Sequence, residues 1–127
     1  MQSKISRSIN YDEQFYVTIE GYDNYKINPD GQVLNVKKNK LLKTYLKNNG
    51  YYAVDLYKQG KRKMKYVHQL VAEAFLIKPN ETYVVDHINQ DKTLNRIENL
   101  RYVSIGENNR NISSHGKIKY NFVDDLP

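Results

Sequence analysis

A chain of 127 residues is long enough to bury one modest core, and 39% hydrophobic against 27% charged residues suits a water-soluble domain. The absence of cysteine excludes disulfides, thiolate zinc sites and cysteine nucleophiles together. No apolar run approaches the roughly 18 residues of a membrane span, and the opening MQSKISRSINYDEQ holds no apolar signal segment. The expectation is an intracellular protein, cytoplasmic or nuclear, that is neither secreted nor membrane-bound. The formal charge of +6 is concentrated, because residues 37–65 carry ten basic side chains against one acid, Asp55. Such a block is an electrostatic footprint for a polyanion, with affinity that falls steeply with salt.

Residues 1–12 read as a flexible polar leader. Short β-prone runs follow at Phe15–Ile19, Tyr25–Ile27, Gln32–Val36, Tyr51–Lys58 and Arg62–Tyr66, separated by Asn28-Pro29-Asp30-Gly31, Asn48-Asn49-Gly50 and Gln59-Gly60. The last two runs predict a hairpin closed by Gln59-Gly60. Alternation along Tyr51–Tyr57 places Tyr52, Val54 and Leu56 on one face and Tyr51, Asp55 and Tyr57 on the other. The period then changes. Val67, Leu70, Val71, Ala74 and Phe75 form one stripe of a helix over Val67–Leu76, ended by Pro79-Asn80. Tyr83–Val85 predicts a short strand, 89–99 a polar loop and Leu100–Val103 a second strand. Ser104 and Glu107 match a capping box opening a helix to about Ile112. The twelve tyrosines read as core and cross-strand packing.

The chemistry gathers between Val84 and Asn111. The Asp86-His87 pair ends an apolar run, Asn99 follows in an Asn-Leu-Arg turn, and Asn108 falls on the expected helix. An acid beside an imidazole, faced by a polar residue from a helix, is what metal-assisted phosphodiester hydrolysis needs. Mg²⁺ takes hard oxygen ligands, often one or two from protein. Asp86 offers a charged oxygen and Asn108 an amide carbonyl. An imidazole titrates near neutral pH, so His87 suits the role of general base toward water. Neighbouring residues on a regular strand point to opposite faces, so Asp86 and His87 share one phosphate only where the strand ends or bends. Each residue also has a plainer reading. Asp86 and His87 would cap a turn, Asn108 would lie on the surface with Asn111 as the ligand, and His68 beside the helix stripe would serve packing or hydrogen bonding. His115 falls near the end of the expected helix, and no compact spacing joins His68, His87 and His115 into a zinc site.

Val67-His68-Gln69-Leu70-Val71-Ala72-Glu73-Ala74-Phe75, Val85-Asp86-His87, Asn95-Arg96, Asn99-Leu100-Arg101 and Glu107-Asn108 together resemble the HNH endonucleases of phages and mobile introns. Ile19 through Tyr25 and Gly31-Gln32-Val33 look like the small β-rich module that often precedes that motif, although the tryptophan usual near its start is replaced here by Phe15 or Tyr16. The resemblance covers roughly residues 14–112. It implies an α+β fold, with an N-terminal antiparallel β-rich DNA-binding module (13–66), a ββα-metal (His-Me finger) HNH nuclease unit (67–115) and a tail (116–127). It also implies cleavage of DNA to 5′-phosphate and 3′-hydroxyl ends with Mg²⁺ or Mn²⁺. His87 would be the general base, Asp86 and Asn108 the metal ligands, and Asn99 the residue that braces the loop. Family members often carry histidine where this chain has Asn108, and an amide there favours Mg²⁺ or Mn²⁺ over zinc.

Double-stranded DNA is the expected partner. Lys37, Lys38, Lys40, Lys43, Lys47, Lys61, Arg62, Lys63 and Lys65 are candidates for phosphate contacts, and the hairpin around Gly60 is the candidate ribbon for the major groove. Arg96 and Arg101 stand near the proposed site as grips on the scissile strand. Many intron-encoded relatives add a helical DNA-reading module, and none is evident here. Modest specificity is therefore expected, or specificity supplied by a partner or a further segment. The competing readings are a catalytically inactive DNA-binding protein and an accessory protein of phage genome processing.

Overall fold

Eleven short strands surround one helix in the computed structural model, which describes residues 15–105 and the backbone of 117–118. β1 (Val17–Ile19), β2 (Tyr22–Ile27), β3 (Val33–Asn35) and β4 (Lys40–Leu41) form an antiparallel sheet in that order. β5 (Tyr45–Leu46), β6 (Tyr52–Lys58) and β7 (Lys61–Tyr66) form a second. Helix α1 (Val67–Phe75) leads into β8 (Leu76–Ile77), and β9 (Tyr83–His87) pairs with β10 (Leu100–Ser104). β11 (Lys117–Ile118) pairs antiparallel with β8, in a stretch read from sequence as tail. The class is α+β, as expected. The helix expected from Ser104 to about Ile112 lies outside the described residues.

Hydrophobic alternation accounts for the second sheet. Val54 and Leu56 are completely buried, whereas Tyr57, two residues from Asp55, is exposed. Gln59 and Gly60 both adopt positive φ, +53° and +79°. That is the two-residue hairpin turn whose twist matches the flanking strands. The helix buries Val67, Leu70, Val71 and Phe75 as its spacing predicts, together with His68 and Ala72. Pro79 does not end it. Leu76 turns to extended backbone (φ −116°, ψ 149°) and pairs as part of β8 instead, because a strand partner satisfies its backbone where a further helical turn would not.

One core joins the two predicted units. Ile19, Tyr25, Ile27, Val54 and Leu56 pack in the same buried cluster as Leu70, Phe75, Ile97, Leu100 and Tyr102. The Asn28–Gln32 turn is the seam. Its shape is set by Asn28, whose Oδ1 accepts from the backbone of Asp30 (3.1 Å) and Gln32 (2.8 Å). Pro29 in turn accepts the backbone N–H of Ile97 at 2.8 Å, and Arg96 pairs with Asp30 at 3.4 Å. Gly31 sits at φ +86°, where an added Cβ would lie 3.2 Å from Val67 Cγ1 and 3.3 Å from the Asn95 carbonyl oxygen.

Two stability results follow. Gly31→Ala should destabilise the fold by about 2 kcal/mol in urea titration, since a left-handed alanine alone costs roughly 1–2 kcal/mol. An unaltered midpoint would show that the seam yields freely. Burial, and then the neighbouring His87, pushes the His68 imidazole down from 6.5 to about 4. Between those pH values the unfolded chain takes up a proton that the folded chain refuses, so stability is lost as pH falls through that window. The drop in urea midpoint from pH 7 to 4.5 should therefore be smaller in His68→Phe than in the parent chain.

Candidate active site

The loop between β9 and β10 builds itself from short polar side chains. The Asn89 Oδ1 accepts the backbone N–H of Asp91 at 2.8 Å, and the Asp91 Oδ1 accepts the backbone N–H of Thr93 at 3.0 Å and its hydroxyl at 2.6 Å. Those Thr93 bonds hold the Asp91 carboxyl below its usual range. Such Asx turns offer the backbone partners that neither helix nor strand supplies here. Asn99 closes the loop from its far end. Its Oδ1 accepts from the Asn89 backbone (3.0 Å), its Nδ2 donates to the Leu94 carbonyl (2.9 Å), and its own carbonyl accepts from Ile88 (2.7 Å).

That brace fixes the end of β9. The ladder runs regularly through Asp86↔Arg101 and His87↔Leu100 and stops there. Tyr83, Val85 and His87 share the inner side, while Val84 and Asp86 share the outer one. The strand thus ends directly after the Asp-His pair, as the polar residues beyond it predict. Both residues lie within the ladder, so the side chains leave opposite faces of its last step and no bend falls between them; their convergence on one phosphate would rest on the strand's ending at His87.

His87 is 6% exposed, and Asn95, at 7%, faces it. The Asn95 Oδ1 lies 2.7 Å from His87 Nε2. An amide oxygen only accepts, so Nε2 carries the proton and Nδ1 holds the lone pair. Asn95 was quoted in sequence only as part of a motif, and its role as orienter is new. The signal available was its spacing, inside the polar loop and eight residues from His87.

Asp86 is tied by Arg101, whose Nε donates to Oδ2 at 2.9 Å, with the two side chains 26% and 13% exposed. Arg101, expected as a grip on DNA, is thus half of a sheltered pair that aims the carboxylate. Arg96 is more exposed and pairs with Asp30 and with Glu98 (3.6 Å). Asn108, Asn111 and His115 lie outside the described residues, so the expected approach of Asp86 to Asn108 does too. As a ligand set, Asp86 presents a hard carboxylate oxygen already oriented by hydrogen bonding, which fits Mg²⁺ or Mn²⁺. Among the described residues no three His, Cys, Asp or Glu cluster in a way that would hold a metal, and a site of one carboxylate plus one amide requires no such cluster.

His68 is brought beside His87. Their ring centroids are 5.2 Å apart, and Tyr51 stacks on His68 at 4.7 Å with 27° between planes. The packing role expected for His68 is met. The alternative of hydrogen bonding is not met at Nδ1, which is buried with no partner.

The basic candidates are placed as follows. Lys37 and Lys38 lie in the β3–β4 turn, Lys40 on β4, Lys43 and Lys47 around β5, and Lys61, Arg62, Lys63 and Lys65 all on β7. Lys47 and Lys65 are half-buried and the others exposed. Arg62 is held by Asp55, the single acid of that block, at 3.3 Å, and the other oxygen of Asp55 accepts from the Tyr45 hydroxyl at 2.5 Å.

Known proteins resemble this chain in sequence and in fold. The model of the HNH endonuclease family matches residues 65–110. The chain is 38% identical over 101 residues to the DNA endonuclease I-HmuI of Bacillus phage SP01, across 79% of this chain and 58% of that protein. It is 38% identical over 90 residues to the H-N-H endonuclease F-TflII of Escherichia phage T5, across 69% of this chain and 46% of that protein. An uncharacterized HNH endonuclease of Acanthamoeba polyphaga mimivirus, L247, is 38% identical over 95 residues, across 72% of this chain and 24% of that protein. A solved structure of DNA binding and cleavage by the HNH homing endonuclease I-HmuI superposes with a TM-score of 0.70 at 37% identity, covering 74% of this chain and 55% of that one. The chain thus spans less than two thirds of the length of each of these relatives. On the sequence match and the shared fold alike, it carries an HNH endonuclease domain, matched over residues 65–110.

Proposed function

We propose that this protein is a divalent-metal-dependent endonuclease that hydrolyses phosphodiester bonds in duplex DNA. The observation that carries this reading is the buried hydrogen bond from His87 Nε2 to Asn95 Oδ1, made next to an Asp86 carboxylate aimed by Arg101. It leaves Nδ1 of a fixed tautomer to take a proton from the attacking water. Asp86, with Asn108 from the segment that follows β10, holds the cation. When bound, Mg²⁺ or Mn²⁺ offsets the negative charge that grows on the phosphate oxygens. Asn99 keeps the loop that presents Asn95 in shape and makes no contact with the reacting atoms. Cleavage gives 5′-phosphate and 3′-hydroxyl ends, as the family resemblance implies.

The lysine-bearing ribbon supplies attraction to the duplex. Lys37, Lys38, Lys40, Lys43, Lys47, Lys61, Lys63 and Lys65 contact phosphates and position the DNA without reading its sequence. Arg96 lies on the same loop as Asn95 and reaches the scissile strand from there. The DNA binding and cleavage described for the solved I-HmuI structure supports DNA as the substrate here.

Two measurements test this. Supercoiled plasmid should be nicked with Mg²⁺ or Mn²⁺ and left intact with EDTA. His87→Ala should lower the rate by about 10²–10⁴-fold, and Asn95→Ala by about 10²-fold through misorientation. Nicking that persists in His87→Ala would overturn the assignment of the base. Separately, the slope of log affinity against log salt should shrink by about 2 when Lys61 and Lys63 are both replaced by alanine, near one unit per lost phosphate contact. An unchanged slope would remove the β7 ribbon from the interface.

A further inference from the structure

Resting on the reading of His87 as general base, the geometry points to His68 and Tyr51 as positioning residues: a stacked pair of rings against which the His87 imidazole leans, so that it cannot turn over freely. Helix α1 brings His68 to the inner end of β9, and the turn between β5 and β6 brings Tyr51 over it. The three rings form a triangle: Tyr51 stacks on His68 at 4.7 Å with 27° between planes, and His87 leans against both, 5.2 Å from His68 at 50° and 5.9 Å from Tyr51 at 32°. Tyr66 meets Tyr51 edge-on at 5.8 Å and His68 at 5.6 Å, and its hydroxyl accepts from Asn49 Nδ2 at 2.9 Å. Lys92, from the loop that carries Asn95, places Nζ 4.9 Å from the Tyr51 ring and donates to the Asn49 carbonyl at 3.2 Å. The stack is therefore clamped from both sides.

Three features separate this arrangement from ordinary core filling. His68 is 7% exposed, yet its Nδ1 has no hydrogen-bond partner, so donor-acceptor pairing there does not explain the choice of residue. A buried polar atom without a partner is costly and calls for a reason, and the ring's contact with both Tyr51 and His87 supplies one. The five-membered ring also gives Tyr51 a flat face to stack on, which aliphatic side chains do not present. Finally, burial pushes the ring's pKa down to about 4, so near neutral pH it adds no repulsion beside the imidazolium formed when His87 takes its proton. The Asn95 bond holds one edge of the His87 ring, and the two neighbouring rings limit its tilt.

The test compares His68→Ala, His68→Phe, Tyr51→Ala and Tyr51→Phe in plasmid nicking, with ¹⁵N-imidazole NMR of the intact chain. The alanine variants should lose at least tenfold in kcat with KM within twofold, and each phenylalanine should recover most of that loss. In the parent chain His87 should give the spectrum of a single Nε2–H tautomer, which becomes an average of both tautomers in His68→Ala. Unchanged kcat in the alanine variants overturns the proposal. So does a His68→Phe as impaired as His68→Ala, which would assign the role to the ring nitrogens instead. Should His68→Ala fail to fold, mixed His87 tautomers in the parent chain overturn it. If plasmid nicking proves insensitive to His87→Ala, the functional reading fails, and the spectra still decide ring positioning.

Discussion

The hydrogen bond between Asn95 and His87 is the interaction on which the rest of this structure converges. A histidine at the end of a two-stranded ribbon has free side-chain torsions, and two nitrogens that exchange roles when the ring turns over. One acceptor at 2.7 Å from Nε2 removes both freedoms. The cost is a loop that must deliver a single amide oxygen to a buried position. Asn99 meets that requirement from one end of the loop, and Asn89, Asp91 and Thr93 meet it from the other. Each uses side-chain bonds to backbone because the segment has no ladder of its own.

The residues around Asn95 come from both parts of the chain. Pro29 receives Ile97, Asp30 holds Arg96, Gly31 lies against the Asn95 backbone, and Asn49 receives Lys92. The β-rich segment is thus structural support for the site. Charge is unevenly distributed. Near His87 the charged groups are paired, with Asp86 on Arg101 and Arg96 between Asp30 and Glu98, whereas the positive excess stands on residues 37–65.

The parts of this fold that were legible in sequence are those governed by a short period. Tyr52–Lys58 and Lys61–Tyr66 announce themselves by alternation around Gln59-Gly60, and α1 by its stripe of Val67, Leu70, Val71 and Phe75. Other features depend on partners far away along the chain. β4, β5 and β8 are two residues long and exist only because a neighbouring strand pairs with them, so no local pattern marks them, and Pro79 looked like a terminator that Leu76 anticipates. The site divides in the same way. Asp86, His87 and Asn99 stood out through motif spacing. Asn95 was hidden among similar polar residues of one loop, and the contact of Tyr51 with His68 joins residues whose meeting follows from tertiary packing alone.

The choice of an amide at position 95 also makes chemical sense against the obvious alternative. A carboxylate facing Nε2 would fix the same tautomer, but it would favour the charged ring and so retain the proton that a base must later release. It would also place a second buried anion beside Asp86, in a region where desolvating an unpaired charge is expensive. An asparagine orients the imidazole while leaving the local charge unchanged. Asp86, in the proposed mechanism, remains the anion that selects for a cation, and Arg101, bonded through Oδ2, steadies it in direction. Orientation and charge are thereby assigned to different residues, which lets each be set without disturbing the other.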